Sequence, residues 1–141
     1  MNRLELMFIA KNKVRMHDTD MAGILYFPRQ FRFIHDAWED LMEVEGLDFD
    51  TLFNKENFVF VVVHAEADYH APLRVGDNIE VHVNTAHVGQ CSFSISYQIF
   101  KDDKTLVGSG KTVHVTLNNT TRKKIRVPKN MSAKLEKYML D

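Results

Sequence analysis

The chain has 141 residues, enough for one hydrophobic core and too few for two ordinary domains. Hydrophobic residues make up 45% and charged residues 26%, an ordinary globular balance, and a net charge of −1 gives no bulk attraction to nucleic acid or to an anionic membrane. A single cysteine, Cys91, excludes an internal disulfide and suits a reducing compartment.

Met1 to Lys13 mixes charged and apolar residues too finely for the apolar segment of a signal peptide. The longest apolar run, Phe58 to Val63, is far short of a membrane span, so the expected location is cytoplasmic. A first strand is predicted over Met7 to Arg15. From Pro28 to about Glu45, residues Phe31, Ile34, Trp38 and Leu41 recur at three- and four-residue steps, which is helical spacing. Gly46 stands where a left-handed residue ends a helix cheaply. Asp48 to Asn57 reads as a short helix or turn.

From Phe58 the period becomes two. Val59, Val61, Val63, Ala65, Ala67 and Tyr69 form one face, while the other runs Phe58, Phe60, Val62 and then His64, Glu66, Asp68 and His70. This strand is expected to be buried on both faces at its start and half exposed at its end. Gly76-Asp77 marks a turn into a strand with Ile79, Val81 and Val83 on one face. After Gly89 the alternation is cleanest, with Cys91, Phe93, Ile95, Tyr97 and Ile99 on the apolar side. Lys101 to Lys104 reads as a hairpin turn, and a last strand carries Val113, Val115 and Leu117.

One strand, one helix and four strands joined by tight turns predict an α+β domain, a five-stranded antiparallel sheet with one long helix on a face. Residues 1–141 are expected to form a single domain with its core over about 7–117 and a tail over 118–141 that carries a short helix from Ser132 to Leu140. One helix leaves part of such a sheet uncovered, so a homodimer or homotetramer is expected.

The most informative segment is Val14 to Pro28. Asp18 and Asp20 stand ahead of Gly23 and a short apolar run, and Pro28 suits the first turn of a helix because the N–H it lacks would be unpaired there. Unpaired N–H groups at a helix start, with their partial positive charge, suit a carbonyl that becomes an oxyanion. An acid beside such a site is a minimal kit for cleaving an acyl bond.

Asp20-Met-Ala-Gly23-Ile-Leu-Tyr26-Phe27-Pro28 resembles the active-site segment of the 4-hydroxybenzoyl-CoA thioesterase family, whose fold is the hotdog fold. Asp68-Tyr-His-Ala-Pro72-Leu-Arg74-Val-Gly76-Asp77 resembles the strand and turn ahead of that family's long sheet strands. The two segments and the order of elements cover roughly residues 7 to 117. The resemblance implies a sheet wrapped around a central helix, pairing of subunits with active sites at their interface, and hydrolysis of an acyl-CoA. It implies no metal and no cofactor, coenzyme A being part of the substrate. It makes Asp20 the catalytic acid, as nucleophile or as general base, and makes the Phe27 N–H the group that polarises the thioester carbonyl. Gly23 allows a tight turn and close approach of substrate, and Tyr26 lines the site. Similar thioesterases acting on 1,4-dihydroxy-2-naphthoyl-CoA carry a Val-His-Ala segment like Val63-His64-Ala65, which makes His64 a candidate substrate contact.

Each of these residues also has an ordinary structural reading. Asp20 would bind local amides, the Phe27 ring would join Phe31 in the core, and Asp18 would bind local backbone or Arg15. His17 has at most a supporting role. His64 and His70 would lie ~20 Å apart along a strand, too far to share a metal ion. Arg122-Lys-Lys-Ile-Arg126 is a solvated tail or a clamp for the phosphates of coenzyme A; no nucleic-acid motif accompanies it. No Gly-x-Ser-x-Gly elbow or Gly-rich phosphate loop is present, and Cys91 sits on the apolar side of its strand. Phe58, Phe60 and Val62 are expected to line the acyl pocket, which suits aromatic groups and short or medium aliphatic chains alike. The alternative to a hydrolase is a non-catalytic module that binds acyl-CoA or acyl-carrier protein; a hydratase using His35 or Asp36 ranks last.

Overall fold

A computed structural model describes residues 7–102 and 104–139. The elements in chain order are β1 (Phe8–Lys13), α1 (Gln30–Val44), β2 (Phe58–Tyr69), β3 (Asn78–Val88), β4 (Ser92–Lys101), β5 (Leu106–Asn118) and α2 (Lys129–Glu136). The five strands form one antiparallel sheet in the order β1-β3-β4-β5-β2. No helix among the described residues is long and apolar enough to cross a membrane.

The α1 sequence buries Phe33, Ile34, Ala37, Trp38, Leu41 and Met42, a stripe repeating every three to four residues that lies on the sheet. A tight turn over Phe27–Arg29, with Pro28 in its first two positions, leads into α1. Beyond its end Gly46 takes φ +74°. The sheet answers with Phe93, Ile95, Tyr97 and Ile99 of β4 and Ile79, Val81 and Val83 of β3, all buried. This is the hotdog arrangement that the sequence resemblance implies.

Three expectations change. First, β2 is an edge strand, bonded only to β5, and Val61, Val62 and Val63 are exposed rather than buried on both faces. Its register against β5 shifts between Val62 and His64, because Val63 is an extra residue that the ladder does not pair. The bulge reverses the faces. Phe60 and Val62 before it, and Ala65 after it, face α1, whereas His64 and Glu66 lie on the opposite face. Phe58 is in the core at 2% exposure, whereas Phe60 and Val62 border clefts against α1.

Second, the inward face of β5 is Thr112, His114 and Thr116, all buried, while Val113, Val115 and Leu117 are only half-buried on the far side. The register confirms this, since inward-facing Ile95 and Phe93 of β4 lie opposite Thr112 and His114. Third, the core extends past residue 117, with Val127, Met131 and Leu135 buried in it. The tail helix begins three residues before the expected Ser132, and Leu140 lies outside the described residues.

The segment from Asp48 to Asn57 contains one wide turn over Thr51–Glu56. Hydrogen bonds from the Lys104 N–H to the Lys101 carbonyl and from the Lys101 N–H to the Thr105 carbonyl, both 2.9 Å, close the β4–β5 hairpin. Asp103, within that predicted turn, lies outside the described residues.

Candidate active site

After β1 the chain is pinned to the turn before β3: Val14 N–H donates to Asp77 O and Gly76 N–H to Val14 O, both at 2.9 Å. It then makes a small hairpin. Tyr26 N–H donates to Asp18 O at 2.8 Å, Asp20 N–H to Ile24 O at 3.0 Å, and Gly23 N–H to Asp20 O at 3.0 Å. Gly23 takes φ +80° at this tip, where a side chain would be strained. Leu25 N–H donates to Leu73 O at 2.8 Å, tying the hairpin to the segment between β2 and β3. The second motif thus supports the first.

Asp18 anchors this hairpin to α1. It is fully buried and accepts from Arg32 Nε at 2.9 Å, Arg32 Nη2 at 2.7 Å and the Arg15 N–H at 2.8 Å. The local backbone bond was expected, but the side-chain partner is Arg32 rather than Arg15. Burial by itself would raise the Asp18 carboxyl; the Arg32 and Arg15 hydrogen bonds and the Arg32 charge outweigh it and hold the group below the ordinary carboxylate value. Arg32 also bonds Asp36 at 2.9 Å, and His17 stands 3.6 Å from Asp18 at the exposed side.

Asp20 is exposed at the hairpin tip. Its Oδ1 accepts the Ala22 N–H at 2.8 Å, the local-amide contact of its ordinary reading. Its other oxygen has no partner among the described residues. The carboxylate is therefore oriented by one bond and keeps lone pairs for water or a carbonyl carbon.

Seven residues on, the Phe27 N–H opens the helical run and has no acceptor among the described residues. The Phe27 ring is 63% exposed and meets Tyr26 edge-on, so it does not join Phe31 in the core. The Phe27 carbonyl accepts the Tyr69 hydroxyl at 2.6 Å, and burial pushes that phenol's pKa up. Gln30, buried at 1% exposure, donates from its side-chain amide to the carbonyls of Asp68 and Ser109 at 3.0 and 3.1 Å. It thereby clamps the start of α1 over the β2–β5 pair. Phe27, Gln30, Tyr69 and Leu73 border a cleft of about 380 Å³.

Gln30, Tyr69 and Arg32 were not singled out from the sequence. A signal existed for Gln30: it lies three and four residues before Phe33 and Ile34, a polar residue on the apolar stripe. Arg32 and Asp18 are 14 positions apart and give no local signal.

His64 is not brought to the hairpin. It lies on the sheet face away from α1 with Nε2 3.1 Å from Glu66 Oε1. His70 instead meets Ser109 Oγ at 3.3 Å. Among the described residues no three His, Cys, Asp or Glu side chains gather as a metal site. Two further clefts of about 200 and 210 Å³ lie between α1 and β2 and share His35 and Trp38 as a wall.

Residues 14–135 match the family model described as the thioesterase-like superfamily. The chain is 33% identical over 129 residues to a 1,4-dihydroxy-2-naphthoyl-CoA hydrolase of Prochlorococcus marinus (strain NATL2A), covering 86% of this chain and 83% of that protein. It is 34% identical over 113 residues to the 1,4-dihydroxy-2-naphthoyl-CoA hydrolase of Rippkaea orientalis, covering 79% and 82%. Among solved structures, a 1,4-dihydroxy-2-naphthoyl-CoA thioesterase from Synechocystis superposes with a TM-score of 0.84 at 27% identity, over 92% of this chain and 95% of that one.

Proposed function

From the premise that this chain belongs to the thioesterase-like superfamily, we propose that it is an acyl-CoA thioesterase that splits an aromatic acyl-CoA, of the hydroxybenzoyl or dihydroxynaphthoyl type, into the free acid and coenzyme A. The observation that carries this reading is the pairing, on one pinned hairpin, of a half-free Asp20 carboxylate with an unpaired Phe27 N–H. The thioester carbonyl accepts from the Phe27 N–H, and negative charge that builds on its oxygen is met by the helix start. Asp20 either takes a proton from the attacking water, or attacks the carbonyl itself to form an acyl anhydride that water then hydrolyses to the free acid and Asp20. In both routes the C–S bond breaks and the coenzyme A thiolate takes up a proton that derives from water. Gly23 keeps the approach open, and Tyr26 borders it. The reaction needs water and no cofactor.

The exposed edge of β2 supports self-association. Two copies joined antiparallel along β2 would cover Val61 to Val63 in a continuous sheet. Antiparallel pairing sets the start of one β2 beside the end of the other. The partner's Arg122 to Arg126 segment, held by bonds from Asn118 N–H to Lys123 O and from Ile125 N–H to Thr116 O, then approaches the Tyr69 end of this subunit. There it is placed to meet the phosphates of coenzyme A, and His64 faces the same seam.

The test is free-thiol release from a panel of aromatic and aliphatic acyl-CoAs, with Asp20→Asn compared to wild type. Asn keeps the volume but neither takes a proton from water nor attacks the carbonyl effectively, so turnover should fall at least ~10²-fold with the fold intact. Near-normal turnover in Asp20→Asn would transfer the assignment to the acyl-binding alternative. After single-turnover hydrolysis in ¹⁸O-water, ¹⁸O in Asp20 identifies the nucleophile route, because general-base hydrolysis places the label only in the product acid.

A further inference from the structure

Two apolar clefts follow one another along the gap between α1 and β2. The first, about 210 Å³, lies between Phe31 and Ile34 of α1 and Val62 and Ala65 of β2. The second, about 200 Å³, lies between Met42 of α1 and Val59 of β2, and Leu47, Phe49 and Leu52 close its far end. Residue numbers rise along α1 as they fall along β2, so the two elements run antiparallel and the clefts share one gap. The rings of Trp38 and Phe60 meet edge-on at 5.5 Å across it and divide it in two. Trp38 cannot retreat, because Phe93 and His114 back it at 5.7 and 4.9 Å.

The head of this gap is the candidate active site. The hydroxyl of Tyr69, at the end of β2, donates to the Phe27 carbonyl at 2.6 Å. Phe31, His35 and Glu39 follow Phe27 at four-residue steps, which sets them on one flank of the helix as the rim of the gap. At the helical rise, Phe31 stands roughly 6 Å, Trp38 roughly 16 Å and Met42 roughly 22 Å beyond Phe27.

The two clefts differ in what they can take. A cavity of about 150 Å³ holds one benzene ring, so the first cleft suffices for an aromatic acyl group and leaves the second unused. Past the Trp38–Phe60 partition the walls are Met42, Leu47, Phe49, Leu52 and Val59, all apolar, with Glu39 at the rim. An occupant must therefore be apolar, and narrow and flexible enough to thread the partition. An unbranched alkyl chain meets both conditions.

We propose that the second cleft is a distal acyl compartment, so that the enzyme also hydrolyses long unbranched acyl-CoAs whose ends pass Trp38 and Phe60. The proposal rests on the thioesterase reading of Asp20 and Phe27 and adds a second class of acyl group to the aromatic one. In its all-staggered form a chain covers roughly 1.3 Å per carbon, so about twelve carbons reach Trp38 and later ones enter the compartment. Each methylene buried there raises kcat/KM up to roughly fourfold.

The test compares octanoyl-, dodecanoyl- and hexadecanoyl-CoA, each below its micelle concentration. Wild-type kcat/KM should rise at least ~10-fold from dodecanoyl to hexadecanoyl. Met42→Phe narrows the compartment, and Phe49→Asp sets a charge at its far end from a position that is 73% exposed and tolerant of change. Both should abolish the rise while octanoyl turnover, which also reports an intact fold, stays within about twofold of wild type. A wild-type rate that is flat or falls beyond dodecanoyl, or a Phe49→Asp variant that keeps the rise, would overturn the proposal.

A second readout does not need turnover. Trp38 is the single tryptophan and walls both clefts, so hexadecanoate brominated at its twelfth carbon should quench its fluorescence. Phe49→Asp should weaken that binding at least ~10-fold. If the brominated acid behaves in this way and no acyl-CoA of either class is hydrolysed, the thioesterase reading falls and the compartment stands. If aromatic acyl-CoAs are hydrolysed and the brominated acid does not quench Trp38, the compartment falls and the thioesterase reading stands.

Discussion

Replacing Asp18 with Asn probes how the hairpin that carries Asp20 is held. Asp18 accepts three hydrogen bonds, two from Arg32 and one from the Arg15 N–H, from a position of zero exposure. Asn sets an NH₂ where a carboxylate oxygen stood, so at least one N–H opposes another and the charge is gone. Removing one partner of a fully buried ion pair costs about 3–5 kcal/mol. Arg32 is 29% exposed and retains Asp36, so water and that second carboxylate absorb part of the loss, and about 2 kcal/mol remains. In a domain of this size that corresponds to a fall in Tm of roughly 4–8 °C at pH 7, read by circular dichroism. The sign of the pH dependence is fixed. The folded carboxyl titrates below its unfolded value of about 3.9, so its stabilisation is complete above that value and is lost as pH falls through the lower folded one. The difference between wild type and variant should therefore close in acid and not in alkali. Turnover should drop about 10-fold through misplacement of Asp20, well short of the loss in Asp20→Asn. A Tm within about 1 °C of wild type at pH 7, or a gap that persists undiminished at about pH 2, would refute the anchoring role.

Gln30→Leu should cost about 1–3 kcal/mol in urea unfolding, because it removes the donor that the Asp68 and Ser109 carbonyls share; an unchanged midpoint would show the clamp to be idle. Tyr69→Phe should reduce kcat about 3- to 10-fold with little change in stability, since its hydroxyl holds the Phe27 carbonyl and so the neighbouring N–H. Sedimentation of wild type at micromolar concentration should give a dimer or larger, and Val61→Lys on the exposed edge should shift it toward monomer. A 16.4 kDa wild-type species would remove the shared-site proposal.

The helix and the β4 strand were legible in the sequence because their periods run unbroken, as the Phe31, Ile34, Trp38 and Leu41 spacing and the Phe93-to-Ile99 alternation do. β2 was misread for a local reason. A period-two pattern reports faces only while every residue pairs, and the unpaired Val63 reverses the pattern without altering composition. β5 is a different case. Val113, Val115 and Leu117 mark the strand without telling which face meets the core, and the core takes Thr112, His114 and Thr116, with Thr112 bonded to Tyr97 and to His114 Nε2 and Thr116 donating to the carbonyls of Cys91 and Ile125. Within the candidate site, the hairpin residues Asp20, Gly23 and Phe27 share one short motif and were visible together. Of their supports, Gln30 shows only as a polar residue on the apolar stripe, and Arg32 and Tyr69 reach the hairpin only through the folded geometry of α1 and β2.

The strand order also sets a schedule for the growing polypeptide on the ribosome. β2 bonds to no strand except β5, yet it is made long before it. Between Tyr69 and Leu106 roughly 40 residues must be added, which at about 5–20 residues per second takes roughly 2–8 s. Through that interval the valine-rich Val59 to Val63 stretch has no partner in its own chain, while β3 and β4 already zip together behind it. Slow codons placed between β2 and β5 would lengthen the wait and lower the soluble yield, whereas the same codons after Asn118 would leave it unchanged.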